Sequence, residues 1–220
     1  MDISKFIDST LLRPDATADE VTHLCHEATE YGFAAVCVNS SHTSLVSGLL
    51  QGSGVKTCVV VGFPLGACLT AVKVFEAERA MDDGARELDM VMNIGAIKGG
   101  DAFEALDDMK AVVEICAGRA LVKVILECSL LTDTEKVRAC KMAITAGADF
   151  VKTSTGFSTG GATLSDVRLL AKTAKGRVKV KASGGIKDLE TALAMIEAGA
   201  DRLGTSNGAA IAKQAGQSSS

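Results

Sequence analysis

Short runs rich in β-branched residues alternate with amphipathic stretches along almost the whole chain, and this alternation limits the fold more than any other feature. Strands read from the apolar runs cover Phe6–Thr10, Ala34–Asn39, Val55–Phe63, Glu87–Ile94, Leu121–Glu127, Asp149–Ser154, Val178–Ser183 and Asp201–Ser206. Successive starts fall 21 to 34 residues apart, which leaves room for a helix and two turns between strands. The gaps carry helix signals. Thr17–Glu20 and Thr132–Glu135 read as capping boxes, and Thr70 and Asp188 as N-caps. Gly32, Gly84, Gly147, Gly176 and Gly199 stand where a helix should stop. The phrases DDGARELD, TAGADFVK and EAGADRLG repeat one unit: helix end, glycine, alanine, charge, strand.

Strands alternating with helices at this spacing pair in parallel through right-handed crossovers. Eight such units predict an α/β fold of the (β/α)8 TIM-barrel type, as one domain over residues 1–213. The competing architecture, an open doubly wound sheet, would be favoured by a G-x-G-x-x-G turn after the first full strand, and AAVCVNSSHTS contains none. The end of the chain, QAGQSSS (residues 214–220), reads as a loose tail.

Composition narrows the function classes. Apolar residues make up 47% of the 220, enough for a sizeable core. The net charge of −4 is spread along the chain without a basic run, which argues against nucleic acid as a partner. No signal peptide and no membrane-spanning apolar run are found at sequence level, and the seven cysteines are scattered without a C-x-x-C pair. A reducing cytoplasm is the expected setting.

The chemistry is in polar residues that interrupt apolar strands: Asp8, Asp89, Lys123, Lys152, Lys179 and Lys181. A single lysine near a strand end commonly reaches water along its aliphatic stem. Three lysine-bearing strands beside a fourth with a mid-strand aspartate are harder to read that way. Alternation places Lys179 and Lys181 on one face, and Asp89, Val91 and Asn93 on another shared face. If those faces line a barrel, cations and a carboxylate converge where barrels hold their active sites. An ammonium about 6 Å from a lysine, at an effective dielectric near 20, disfavours its protonation by roughly 3 kcal/mol, about two pKa units. A lysine so treated is a nucleophile for carbonyls, and Lys152 is the candidate, with Lys181 beside it. The last two strands run into KASGGIKD and LGTSNGAA, each followed by a helix, where barrels bind phosphate. Either motif alone reads as an ordinary glycine turn. His23 and His26, spaced i,i+3 around Cys25, resemble metal ligands only superficially, and His42 stands near a pocket rim. No metal or cofactor is expected.

From IDSTLL through AAVCVN, ELDMVMNIGA, LVKVILE, ADFVKTSTGF and VKVKASGGI to RLGTS, the chain resembles the deoxyribose-phosphate aldolases, a class I aldolase family. FVKTSTGF and KASGGI are the specific segments. The resemblance implies that Lys152 forms the Schiff base, Lys181 tunes it, Asp89 is the catalytic carboxylate and Lys123 joins a proton relay. It also implies that Asp8 and Cys37 line the substrate pocket with Thr155 and Gly156, and that Gly184, Gly185 and Ser206 cradle phosphate. Asn207 stands where some members carry a second serine, and is assigned to the same cradle. Asp8 also reads as a turn residue and Cys37 as core filling. Some members place a C-terminal tyrosine in the proton path, whereas the only tyrosine here is Tyr31. The implied activity is reversible cleavage of 2-deoxy-D-ribose 5-phosphate, by a homodimer or higher homo-oligomer. Two rivals stay open: an isomerase or epimerase using Asp8 and Asp89 as an acid–base pair, and a sugar-phosphate sensor without turnover.

Overall fold

Eight parallel strands close on themselves in sequence order, each paired with the next and the last with the first. The computed structural model describes residues 2–217. The strands are β1 (Ile7–Leu11), β2 (Ala35–Val38), β3 (Lys56–Val61), β4 (Glu87–Val91), β5 (Leu121–Ile125), β6 (Phe150–Lys152), β7 (Lys179–Ser183) and β8 (Arg202–Thr205). The helices are α1 (Ala18–Tyr31), α2 (Thr43–Leu49), α3 (Thr70–Asp82), α4 (Ile94–Gly99), α5 (Ala102–Cys116), α6 (Asp133–Ala146), α7 (Leu164–Ala174), α8 (Leu189–Glu197) and α9 (Gly208–Gln217). The expected (β/α)8 barrel is therefore present, with an extra helix after β4.

Period-two alternation sorts each strand into two faces. Residues such as Ile7, Val36, Val59, Leu88, Val151 and Leu203 point outward into one continuous apolar layer beneath the helices. Inward residues divide by sector. Ala35, Cys37, Cys58 and Val60, with Leu12, form a small apolar cluster on β2 and β3. The inward positions of β1 and of β4 to β8 carry Asp8, Glu87, Asp89, Lys123, Lys152, Lys181 and Arg202 instead.

The caps behave largely as their sequences predict. Thr17 and Thr132 form capping boxes with Glu20 and Glu135, and Asp188 accepts from the Thr191 N–H at 2.8 Å. Thr70 departs from its expected role. It is the first residue of α3, Leu69 takes the cap position, and the Thr70 hydroxyl donates to Asp108 Oδ1 at 3.0 Å. Asp108 also pairs with the buried Lys73 at 2.6 Å and accepts from the Asn93 N–H at 3.1 Å, while Lys73 donates to the Val91 carbonyl at 2.9 Å. This knot fixes the end of β4 between α3 and α5. β1 starts one residue later than expected because Ile3–Phe6 form a 3₁₀ turn. Residues 214–217, read as loose tail, continue α9, where the Gln214 side chain accepts from the Leu189 N–H at 2.8 Å. The rest of that expected tail, 218–220, lies outside the described residues. No helix among the described residues is long and apolar enough to cross a membrane.

Candidate active site

Register assembles the site. Asp89 on β4 stands opposite Lys123 on β5, and Lys152 on β6 opposite Lys181 on β7. All four side chains turn into the barrel and are buried. Asp89 is the hub. Its Oδ2 accepts from Lys152 and from Lys181, each at 2.8 Å, so the two nitrogens lie within twice that distance of one another. Its Oδ1 accepts from Lys123 at 2.8 Å and from the Cys58 thiol at 3.2 Å. Lys181 also donates to Asp8 Oδ2. Space for the Lys181 stem depends on Gly204: a Cβ there would sit 2.7 Å from Ser183 Oγ and 3.0 Å from Lys181 Cε.

Charge is apportioned sharply in this interior. Burial would raise the Asp8 carboxyl, but Lys181, then Lys123 and Arg202, outweigh it and hold it at about 2. Burial likewise opposes ionisation of Asp89, and the ammonium groups beside it, Lys123 foremost, hold it well below the ordinary carboxylate range. Burial would depress Lys181 and Lys123, yet the carboxylates beside each raise both above the usual lysine range. Lys181 and Lys123 are thus firmly ammonium ions.

The sequence-predicted residues fall in two places. Lys152, Lys181, Asp89, Lys123 and Asp8 meet in the charged interior, and Cys37 borders it with its sulfur 4.0 Å from Asp89 Oδ2. Thr155, Gly156, Gly184, Gly185 and Ser206 line a separate cavity of about 330 Å³ above the strand ends, along with Ser183, Gly204 and Thr205. Gly184 and Gly185 have successive φ values of 91° and 82°, a left-handed pair that side chains resist. The Ala162 N–H donates to the Gly184 carbonyl at 3.0 Å, which ties the loop after β6 to this turn. Helices α8 and α9 start just beyond, so their N-termini follow the two glycine-rich strand ends. Asn207 is not among the residues lining the cavity; its side-chain carbonyl accepts from the Ser206 hydroxyl at 3.0 Å. Lys179 shares the inward face of β7 but lies exposed at the opposite end of the barrel, its nitrogen 5.6 Å from the Phe150 ring centre.

Several contributors escape a sequence reading. Glu87 accepts from Lys123 at 2.6 Å, and Arg202 binds Asp8 at 2.6 Å and Glu87 at 3.1 Å. Glu127, buried with φ 55°, accepts from the Thr155 hydroxyl and N–H, which pins the residue that opens the cavity wall. Arg13 and Lys187 bring positive charge to the same cavity. Only the interruption of an apolar run by a charge could have flagged Glu87 and Arg202, and both stand at strand starts, where charges are commonplace.

His23 and His26 lie on the exposed side of α1, and His23 sits 3.6 Å from Glu27. Among the described residues, two groups bring possible metal-ligand atoms within 4.8 Å of one another: Cys37, Cys58 and Asp89, and Asp8, Cys58 and Glu87. In both, the carboxylates already serve ammonium or guanidinium groups, and a dication would have to displace those cations.

A closed parallel barrel with amines and carboxylates at the heart of its strands defines an enzyme that can work on carbonyl compounds through a lysine. In keeping with this, the chain belongs to the DeoC/LacD family of aldolases, whose model matches residues 4–217. It is 56% identical over 214 residues to a deoxyribose-phosphate aldolase of Clostridium tetani, covering 97% of this chain and 99% of that one. Its fold superposes on an aldolase designated QR15 with a TM-score of 0.95 at 46% identity, covering 99% of this chain and 97% of the other. It also superposes on the tetrameric deoxyribose phosphate aldolase of Aeropyrum pernix, with a TM-score of 0.91 at 38% identity, covering 97% and 91% respectively. The chain is an aldolase, a carbon–carbon lyase.

Proposed function

We propose that this aldolase cleaves 2-deoxy-D-ribose 5-phosphate reversibly to acetaldehyde and D-glyceraldehyde 3-phosphate through a Schiff base on Lys152. The observation that carries the reading is the sharing of Asp89 Oδ2 by Lys152 and Lys181, both at 2.8 Å, in a buried interior. One nitrogen is firmly an ammonium ion, and the other faces it across a single carboxylate oxygen.

The Lys152 amine attacks the C1 aldehyde of the open-chain sugar, and the carbinolamine loses water to give an iminium ion. Asp89, in contact with that nitrogen, is placed to pass protons as the carbinolamine forms and dehydrates. A base then removes the C3 hydroxyl proton, the C2–C3 bond breaks, and its electron pair flows into the iminium. D-Glyceraldehyde 3-phosphate leaves, and an enamine stays on Lys152. Protonation of the enamine at C2 and hydrolysis release acetaldehyde and the free amine. Asp89 and Lys123, bonded at 2.8 Å, form the relay for these protons. Gly184, Gly185 and Ser206 bind the phosphate, with Arg13 and Lys187 at the rim of the same cavity, so that remote binding energy orients the reacting carbons. Asp8 acts on the substrate only through Lys181.

The isomerase reading needs Asp8 and Asp89 to trade a proton. Asp8, however, is committed through one oxygen to Lys181 and through the other to Arg202, which leaves it poorly placed to exchange a proton with a substrate. A homo-oligomer and a cytoplasmic setting belong to the same proposal. The tetrameric relative supports the first, and seven free cysteines support the second. The experiment is borohydride reduction in the presence of 2-deoxy-D-ribose 5-phosphate, followed by peptide mass spectrometry. The expected result is a reduced adduct on Lys152, lost in Lys152→Ala together with more than about 10⁴-fold of the activity. Turnover without any adduct would contradict the proposal.

A further inference from the structure

The reading above needs an amine with a free lone pair, yet Lys152 touches a carboxylate, which by itself favours the ammonium form. What decides is the charge of the whole buried cluster. Asp8, Glu87 and Asp89 supply three negative charges, and all are buried. Lys123, Lys181 and Arg202 supply three positive ones, and each touches at least one of those carboxylates. The cluster is neutral with Lys152 uncharged and carries one excess positive charge with Lys152 protonated. An unbalanced charge in a space closed to water is costly.

Two members of this balance are remote from the reacting amine. Glu87 and Arg202 open β4 and β8, at the end of the barrel opposite the cavity, and neither contacts Lys152 among the bonds described. Arg202 grips Asp8, which grips Lys181, and Glu87 grips Lys123. Phe150 lies against this end, with the Arg202 guanidinium 5.5 Å and Lys123 6.0 Å from its ring centre. We propose, resting on the Schiff-base reading, that Glu87 and Arg202 are positioning residues that keep Lys152 an uncharged amine by setting the charge of the rest of the cluster at zero.

Every other strand contributes to the field that Lys152, on β6, meets: Asp8 on β1, Cys37 on β2, Cys58 on β3, Glu87 and Asp89 on β4, Lys123 on β5, Lys181 and the outlying Lys179 on β7, and Arg202 on β8. The Cys37 and Cys58 thiols face Asp89 and leave the count unchanged while both keep their protons. Lys179 is exposed, and water screens it.

The test reads the pH at which half of Lys152 is trapped by borohydride with substrate, alongside the pH profile of kcat/KM. Arg202→Met removes one positive charge, and the midpoint is expected to rise by roughly one pH unit. Arg202→Lys keeps the charge and should bring the midpoint back. Glu87→Gln removes a negative charge, and its midpoint should fall. Opposite shifts from the two charge-removing variants are a signature that loosened packing does not produce. An unchanged midpoint in folded Arg202→Met, or shifts of the same sign in both, overturns the inference. Where one variant does not fold, the sign of the other decides; where neither folds, the pair serves the fold and the inference is overturned. Absence of any Lys152 adduct in the unaltered enzyme would instead remove the Schiff-base reading itself, so the two failures are distinguishable.

Discussion

The two faces of the same eight strands are held by opposite physics. Outward, Leu88, Val151, Val180 and their neighbours join one apolar layer under the helices, where any side chain of suitable volume contributes by leaving water. Inward, one residue away along each strand, Asp89, Lys152 and Lys181 are held by complementary charge, and each has named partners at fixed distances. Stability on the first face is spread over many replaceable contacts. On the second it is concentrated in a few bonds whose loss strands an ion in the interior. The barrel therefore separates what keeps it folded from what makes it react, and does so within single strands.

The separation is best broken at its hub. Asp89→Asn leaves Lys123, Lys152 and Lys181 around a neutral amide. We expect kcat to fall by about 10²–10⁴-fold in steady-state assay and stability to fall by about 3–5 kcal/mol in urea titration. Leu88→Ala tests the adjacent position on the other face. It should cost about 2–5 kcal/mol in the same titration, while borohydride trapping of Lys152 in the folded protein persists. The mildest probe is acid. Asp8 stands at about 2 in the fold against an ordinary 3.8, so its contribution is complete above that ordinary value and is lost as pH falls through the folded one. Between pH 5 and 2.5 the loss of stability should be about 1.5 kcal/mol smaller in Asp8→Asn than in the unaltered chain. An equal loss in both would mean that Asp8 is not held ionised by its neighbours.

Legibility followed the same division. Lys123, Lys152, Lys181 and Asp89 were conspicuous because each interrupts an apolar run, and the repeating helix–glycine–strand phrases made the barrel readable. Convergence follows once those faces are placed inside a barrel, but the pairings of Asp89 with Lys123 and of Lys152 with Lys181 depend on inter-strand register, which one strand's sequence does not carry. Glu87 and Arg202 passed unnoticed because each follows a loop, where a charge looks solvated until its neighbours are known. Glu127 stood as the last letter of an apolar run, and its left-handed backbone has no sequence marker, since glycine or asparagine ordinarily takes that conformation. Thr70 reads as a cap in sequence because the nearest backbone is the obvious partner for its hydroxyl, whereas the fold brings a carboxylate on another helix within reach of it. Like-charge crowding, the ground on which Lys152 was singled out, is also only part of the electrostatics, because Asp89 stands between the two amines.

The contact between Arg202 and Asp8 joins residues 194 positions apart, and Lys181 reaches Asp8 across 173. During synthesis the first strand therefore emerges long before its partners exist. Asp8 meets its guanidinium only once β8 has emerged from the ribosome, so a nascent chain short of that strand holds most of its catalytic groups without their finished arrangement, and aldol chemistry waits for the last strand.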